Sequence, residues 1–229
     1  MEARQVIKFH DVRFAYAASG GFALHVPALT VSPGERVALI GPSGSGKSTL
    51  LLLAGGVLRS DSGSVRLAGD DLTRLPASHR RRLRLRRIGM VFQEFELLEY
   101  LTVRENITLA SRLDTGIDAR ALEIEAERLA TAAGVAALLD RKPAALSQGE
   151  RQRVAACRAL ATRPAALLCD EPTGNLDPTN ADIVTRLLLD HARDHRAALL
   201  MSTHRHESLD AFDRVVDIAA FRPHEEIAP

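Results

Sequence analysis

Gly41-Pro42-Ser43-Gly44-Ser45-Gly46-Lys47-Ser48-Thr49 fits the pattern G-x-x-x-x-G-K-[ST] at every fixed position. It follows the apolar run Val37-Ala38-Leu39-Ile40 and precedes Leu50 to Leu53, so the spacing predicts a buried strand, a phosphate loop and a helix in that order. The glycines permit a tight turn that aims successive backbone N–H groups inward, and the start of the helix adds roughly half a positive elementary charge. A nucleoside triphosphate is the ligand for such a turn. Lys47 is expected to reach the β- and γ-phosphates as a mobile point charge, and the Ser48 hydroxyl to ligate Mg²⁺. A plain Gly/Ser linker would need no Lys-Ser-Thr-Leu-Leu continuation.

The chain has 229 residues, 46% of them hydrophobic, which suits one large α/β domain or a domain carrying an inserted subdomain. A formal net charge of +1 gives no global argument for nucleic acid or an anionic membrane surface. Cys157 and Cys169 fall inside apolar patterns and no secretory signal precedes Val6, so both are expected as reduced, buried thiols of a cytosolic protein. The apolar run Leu50 to Leu58 contains Gly55-Gly56 and is far short of the roughly 20 residues a membrane helix needs.

From Val6 to Leu29 the alternation predicts two antiparallel strands joined at Ala17–Gly21, with Tyr16 ending the first. Pro33-Gly34 turns into the strand that feeds the phosphate loop, and Ser64 to Ala68 forms a further short strand. The basic run His79 to Arg87 reads as a solvated helical face in preference to a nucleic-acid patch, since it is short and lacks interleaved aromatics. Beyond Gln93 the pattern turns helical. Thr102-Val103-Arg104-Glu105 has capping-box form ahead of a helix to about Arg112, and Leu122, Ala126, Leu129 and Ala133 define a second helix ended by Gly134. His191 and His195, four apart on a predicted helix, read as a solvated face in preference to a metal pair. Strands and helices alternate again from Ala166 to Ile218, closing with a helix and a strand, which implies a mostly parallel sheet. A single domain over 1–229 follows, with a core of about 1–93 and 165–220 and a helical subdomain of about 94–164.

The apolar strand Ala166 to Cys169 ends in Asp170-Glu171, at the strand end where open α/β sheets bind ligands. Beside a phosphate loop, Asp170 is suited to holding Mg²⁺ through its water shell, and Glu171 to accepting a proton from an attacking water. Leu146-Ser147-Gln148-Gly149-Glu150 opens another helix with a capping box, making a second anion-binding helix start in one chain.

With Gln93 ahead of it, and Asn175-Leu176-Asp177-Pro178 and Ser202-Thr203-His204 behind, this arrangement closely resembles the ATP-binding subunit of an ABC transporter from about Ile7 to Ile218. The resemblance implies a P-loop NTPase core with a mostly parallel sheet, an N-terminal antiparallel β subdomain and an inserted helical subdomain. It implies that Tyr16 stacks on adenine, that Gln93 joins Mg²⁺ and the attacking water to a transmembrane partner, and that Ser147 to Glu150 form the signature motif. Asp170 and Glu171 then correspond to the magnesium and general-base acids, Asp177 to a residue bridging two protomers, and His204 to a switch histidine near the γ-phosphate. In this family two subunits pair head to tail, each ATP lying between one phosphate loop and the other subunit's Ser147 and Gly149.

The short chain and Asp170-Glu171-Pro172-Thr173-Gly174-Asn175-Leu176-Asp177 resemble the lipoprotein-releasing, macrolide-exporting and cell-division branch, although polar amino-acid importers share much of this wording. The resemblance implies an ATPase peripheral on the inner face of the cell membrane, working with integral permease subunits and not with nucleic acid. A soluble ABC ATPase of metallocluster assembly is the alternative; a phosphate-loop kinase or GTPase is disfavoured by the lack of an Asn-Lys-x-Asp motif. Gln148 departs from the family signature, where glycine is usual, and Glu99-Tyr100 depart in the partner-docking stretch. Phe95, Leu97, Leu98 and Tyr100, interleaved with Glu94, Glu96 and Glu99, are expected to form part of an apolar groove for a permease helix.

Overall fold

Alternating apolar residues shape the first two strands, β1 (Ile7–Ala15) and β2 (Ala23–Val31), which pair antiparallel with Phe9 opposite Leu29. The computed structural model describes residues 5–16 and 22–221; the connection expected at Ala17–Gly21 lies outside the described residues. Strand β3 (Arg36–Ile40) runs into the phosphate loop and α1 (Lys47–Ala54). Then β4 (Ser62–Leu67) and the short β5 (Asp70–Asp71) complete an antiparallel sheet of order β2-β1-β4-β5.

Helix α2 (Ala77–Arg87) carries the basic run into β6 (Ile88–Val91). Most of the face is exposed, as expected at His79, Arg81, Arg82, Arg86 and Arg87, but several of its arginines also have partners. Arg80 donates to Leu75 O at 2.7 Å, Arg84 to Gly56 O at 2.9 Å, and Arg86 grips Asp114 through both carboxylate oxygens at 2.6 and 2.9 Å. Arginine's long stem allows this: Arg80 reaches back five residues to Leu75, while Arg84 and Arg86 reach groups 28 residues away in sequence.

Four α-helices lie between Val103 and Leu160: α3 (Val103–Ile107), α4 (Leu109–Leu113), α5 (Ala119–Ala132) and α6 (Gln148–Leu160). The single helix expected from Thr102 to Arg112 is instead two. Thr108, at φ −90° and ψ 8°, breaks it, and its hydroxyl bonds Arg104 O at 2.9 Å, the local side-chain bond by which threonine competes with the helical ladder. Both capping boxes form as expected, at Thr102 and at Ser147.

The parallel sheet is completed by β7 (Ala166–Asp170), helix α7 (Pro178–His195), β8 (Ala198–Ser202) and β9 (Arg214–Asp217), in the order β6-β7-β8-β3-β9. The expected last helix is a 3-10 turn, His206–Ala211. Leu39 lies beside Ser202 and Ser202 beside Asp170, so the ends of three strands come level. Cys157 and Cys169 are free and buried, and burial pushes the Cys157 thiol up to about 12 and raises Cys169 as well.

His191 corrects the expectation of a solvated pair. It is only 4% exposed, neither ring nitrogen has a hydrogen-bond partner among the described residues, and its ring lies 4.3 Å from that of His195. Burial, with the neighbouring His195, pushes its imidazole down to about 4 from an ordinary 6.5. Between those values the unfolded chain takes up a proton that the folded chain refuses, so stability falls as pH falls. We expect urea unfolding to show His191→Leu gaining roughly 2–3 kcal/mol relative to the wild type between pH 6.5 and pH 4, with most of the change in that window.

Candidate active site

The phosphate loop is closed around its own lysine. Lys47, 5% exposed, donates to Gly41 O at 2.9 Å and Pro42 O at 3.2 Å, fastening the end of the loop to its beginning. At Gly41, with φ 144°, a Cβ would lie 2.5 Å from Ile218 Cγ2 and 3.0 Å from Ser45 Oγ, so the turn has no room for a side chain. Ser45 Oγ is buried without a hydrogen-bond partner among the described residues. Tyr16 lies against this loop, its hydroxyl 3.2 Å from Thr49 Oγ1 and its ring edge-on to Phe14 at 4.8 Å.

The acids stand where β7 ends. Ser202 Oγ, fully buried at the end of β8, donates to Asp170 Oδ1 at 2.7 Å and accepts from Glu171 N at 2.8 Å. One hydroxyl thus aligns both acidic residues. Glu171 adopts φ 44°, unusual for a residue with a side chain, and its Oε1 lies 2.7 Å from His204 Nε2 and 3.7 Å from Lys47 Nζ. Gln93 is near as well: a Cβ built on Gly174 would stand 3.7 Å from both Gln93 Nε2 and Glu171 Oε2.

The structure therefore brings Lys47, Glu171, His204, Asp170 and Gln93 to one end of the parallel sheet. Ser147, Gly149 and Asp177 form a separate group. Ser147 N and Oγ each bond Glu150 Oε2 at 2.8 Å, and these bonds hold the Glu150 carboxyl below its ordinary range. A Cβ on Gly149 would lie 2.6 Å from Asn180 Cγ. Asn180 accepts from Arg153 and donates to Asp177, whose carboxyl is held low by these Asn180 bonds at the start of α7. No hydrogen bond or ion pair joins the Ser147–Glu150 turn to the phosphate loop among the described residues. Gln148 is exposed and lines a groove of about 380 Å³ with Gln93, Phe95, Leu97, Glu99 and Arg151. Leu98 and Tyr100, expected in that groove, do not line it, and Tyr100 is 70% exposed.

Sequence reasoning did not single out Ser202 or Asn180 for these roles. Ser202 ends an apolar strand within the Ser202-Thr203-His204 run without any sign of its bonds to the acids, whereas Asn180 stands three residues after Asp177, which caps α7.

Residues 24–174 match the ABC transporter family. The chain belongs to that family and is one of its ATPase subunits. Among curated relatives it is 42% identical to the lipoprotein-releasing system ATP-binding protein LolD of Maricaulis maris, over 93% of this chain and 94% of that one. It is 44% identical to LolD of Cereibacter sphaeroides over 85% and 86%. These matches fall in the lipoprotein-releasing branch. Its fold also matches a dimeric bacterial ABC transporter cassette, MJ0796, with a TM-score of 0.82 at 29% identity over 93% of this chain and 95% of the other. The same cassette in a dimeric post-hydrolysis state with ADP and Pi matches at 0.80 and 29%, over 94% of each chain.

Replacing Ser202 with alanine removes a bond to each acid and leaves the half-buried Glu171 N–H without this partner. We expect Ser202→Ala to lower unfolding free energy by about 1–3 kcal/mol and to lower ATP turnover, measured by denaturant titration and phosphate release.

Proposed function

We propose that this chain powers a lipoprotein-releasing type of ABC complex, as a head-to-tail homodimer peripheral on the inner face of the cell membrane and joined to integral permease subunits. The observation that carries the hydrolytic part is the Glu171 carboxylate held between Lys47 and His204 at the mouth of the phosphate loop. The lipoprotein-releasing part rests on the relatives' names, and the dimer on the dimeric cassettes.

On this reading the phosphate-loop N–H groups and Lys47 bind the β- and γ-phosphates, Ser45 Oγ supplies a further donor, and Tyr16 stacks on adenine. Ser48, Asp170 and Gln93 would hold Mg²⁺. The donor set fits that ion: a hydroxyl, a carboxylate and an amide are hard oxygen donors, few enough to leave the remaining octahedral positions to phosphates and water. Bound there, the ion would supply positive charge to the phosphate oxygens during transfer of the γ-phosphoryl group. Glu171 accepts the proton of the attacking water while the water oxygen bonds to the γ-phosphorus and the bond to the ADP oxygen breaks, ADP leaving with the electron pair. His204 keeps the Glu171 carboxylate aimed, and the second protomer's Ser147 and Gly149 cap the γ-phosphate. Asp177 lies at the protomer boundary. The division into a core of about 1–93 and 165–220 and a helical subdomain of about 94–164 allows the Ser147 helix to advance on the partner's nucleotide.

The groove between Gln93 and Arg151 suits a permease helix, since Phe95 and Leu97 offer apolar surface and Glu94, Glu96 and Glu99 a wet rim. No helix among the described residues is long and apolar enough to cross a membrane.

Glu171→Gln keeps shape but removes the proton acceptor, so phosphate release should fall about 10²–10⁴-fold while nucleotide binding survives and a nucleotide-bound dimer accumulates. Near-normal turnover would end the assignment. Phe95→Asp should abolish co-purification with a membrane permease while leaving the thermal midpoint in place; unchanged recruitment would move the docking site elsewhere.

A further inference from the structure

Gln152 lies in the interior beneath the Ser147 turn, only 1% exposed. Its Nε2 donates to Pro172 O at 2.6 Å and to Phe92 O at 3.3 Å, and its Oε1 is buried without a hydrogen-bond partner among the described residues. Both neighbours are carbonyls, so chemistry fixes which way the amide faces: turned over, it would set oxygen against oxygen. A buried amide oxygen left bare costs stability, and an uncompensated polar atom of this kind asks what its donors hold in place.

The two acceptors flank the hydrolytic residues. Phe92 immediately precedes Gln93, and Pro172 immediately follows Glu171. Glu171 keeps its φ of 44° only while its surroundings impose it, with Ser202 Oγ at 2.8 Å holding its N–H and Gln152 holding the carbonyl of the next residue. The same helix is fastened to the segment after Gln93 at two more places. Arg158 donates to Phe95 O at 3.1 Å and Glu96 O at 2.7 Å, and Arg151 lies 3.4 Å from Glu99 Oε1. The helix that starts at Ser147 thus grips backbone beside both Gln93 and Glu171 through a single side chain.

From this geometry we infer that Gln152 is a positioning residue for hydrolysis: it sets the spacing between Gln93 and Glu171 and transmits displacement of the Ser147 turn to both. The inference rests on the roles proposed above for Gln93 and Glu171. When a partner's nucleotide draws the Ser147 turn forward, the base and the water-orienting glutamine shift with it, so chemistry answers to dimer closure through one amide.

The test compares steady-state ATPase rates and nucleotide binding in the full chain for wild type, Gln152→Met, Gln152→Asn, Glu171→Gln and the double variant Gln152→Met with Glu171→Gln. Methionine keeps length and bulk without donors, and kcat is expected to fall about 10–100-fold with the ATP Kd within about twofold. Asparagine keeps the amide one methylene short and should fall between the two; should Gln152→Met not fold, Gln152→Asn is read by the same kcat and Kd criteria. In the Glu171→Gln background, Gln152→Met should cost clearly less than it does in the wild type, because a base that is absent cannot be misplaced and only the effect through Gln93 remains. Unchanged kcat in both single variants overturns the inference, as does parallel loss of binding and turnover, or losses that multiply in the double variant. If Glu171→Gln itself stays active, the proposed base falls and the inference with it; if only the Gln152 comparisons fail, the base stands alone.

Discussion

The register of the parallel sheet is the constraint on which the site depends. Leu39 pairs with Ser202 and Asp170 with Ser202, so the phosphate loop, the acid pair and the His204 turn leave the sheet at one level. A slip of one residue along β7 or β8 would turn every side chain of that strand to the opposite face and separate the Ser202 hydroxyl from Asp170 and Glu171. The buried runs of β7 and β8, with Ala198 to Ser202 buried throughout, make such a slip costly. Nucleotide chemistry thus inherits its precision from ordinary hydrophobic packing.

Helical structure between β6 and β7 is held by a different kind of contact. Asp114 and Glu125 are buried acids, each served by arginines: Arg86 and Arg82 for Asp114, Arg128 and Arg163 for Glu125. Exposed pairs of this sort contribute little, but a buried carboxylate stripped of its partner is expensive. Arg104 gathers Glu123, Glu127 and Asp140 in the same region, tying α3 to α5 and to the turn after it. Such links fix orientation between short helices whose apolar stripes are narrow.

What was legible in the sequence was whatever is written in contiguous residues. The phosphate loop, both capping boxes, the glycine that ends α5 and the acids at the end of β7 each combine a local pattern with a local cause. The misses have non-local causes. His191 carries the composition of a wet helix face yet is covered by packing, and Arg84 and Arg86 gain carbonyl and carboxylate partners from segments 28 residues away. Thr108 broke a helix through a side-chain bond that periodicity does not register. Ser202, Asn180 and Gln152 act by joining segments, and nothing in their immediate sequence says which segments those will be.

The two cysteines have a practical side. A thiol reacts as its thiolate, and both Cys157 and Cys169 are enclosed and strongly disfavoured as anions. Maleimide reagents therefore find almost no native thiol on the folded protein. A cysteine introduced at an exposed position can carry a spectroscopic label on its own, so distances across the proposed pair of subunits can be sought without first removing the chain's own sulfur.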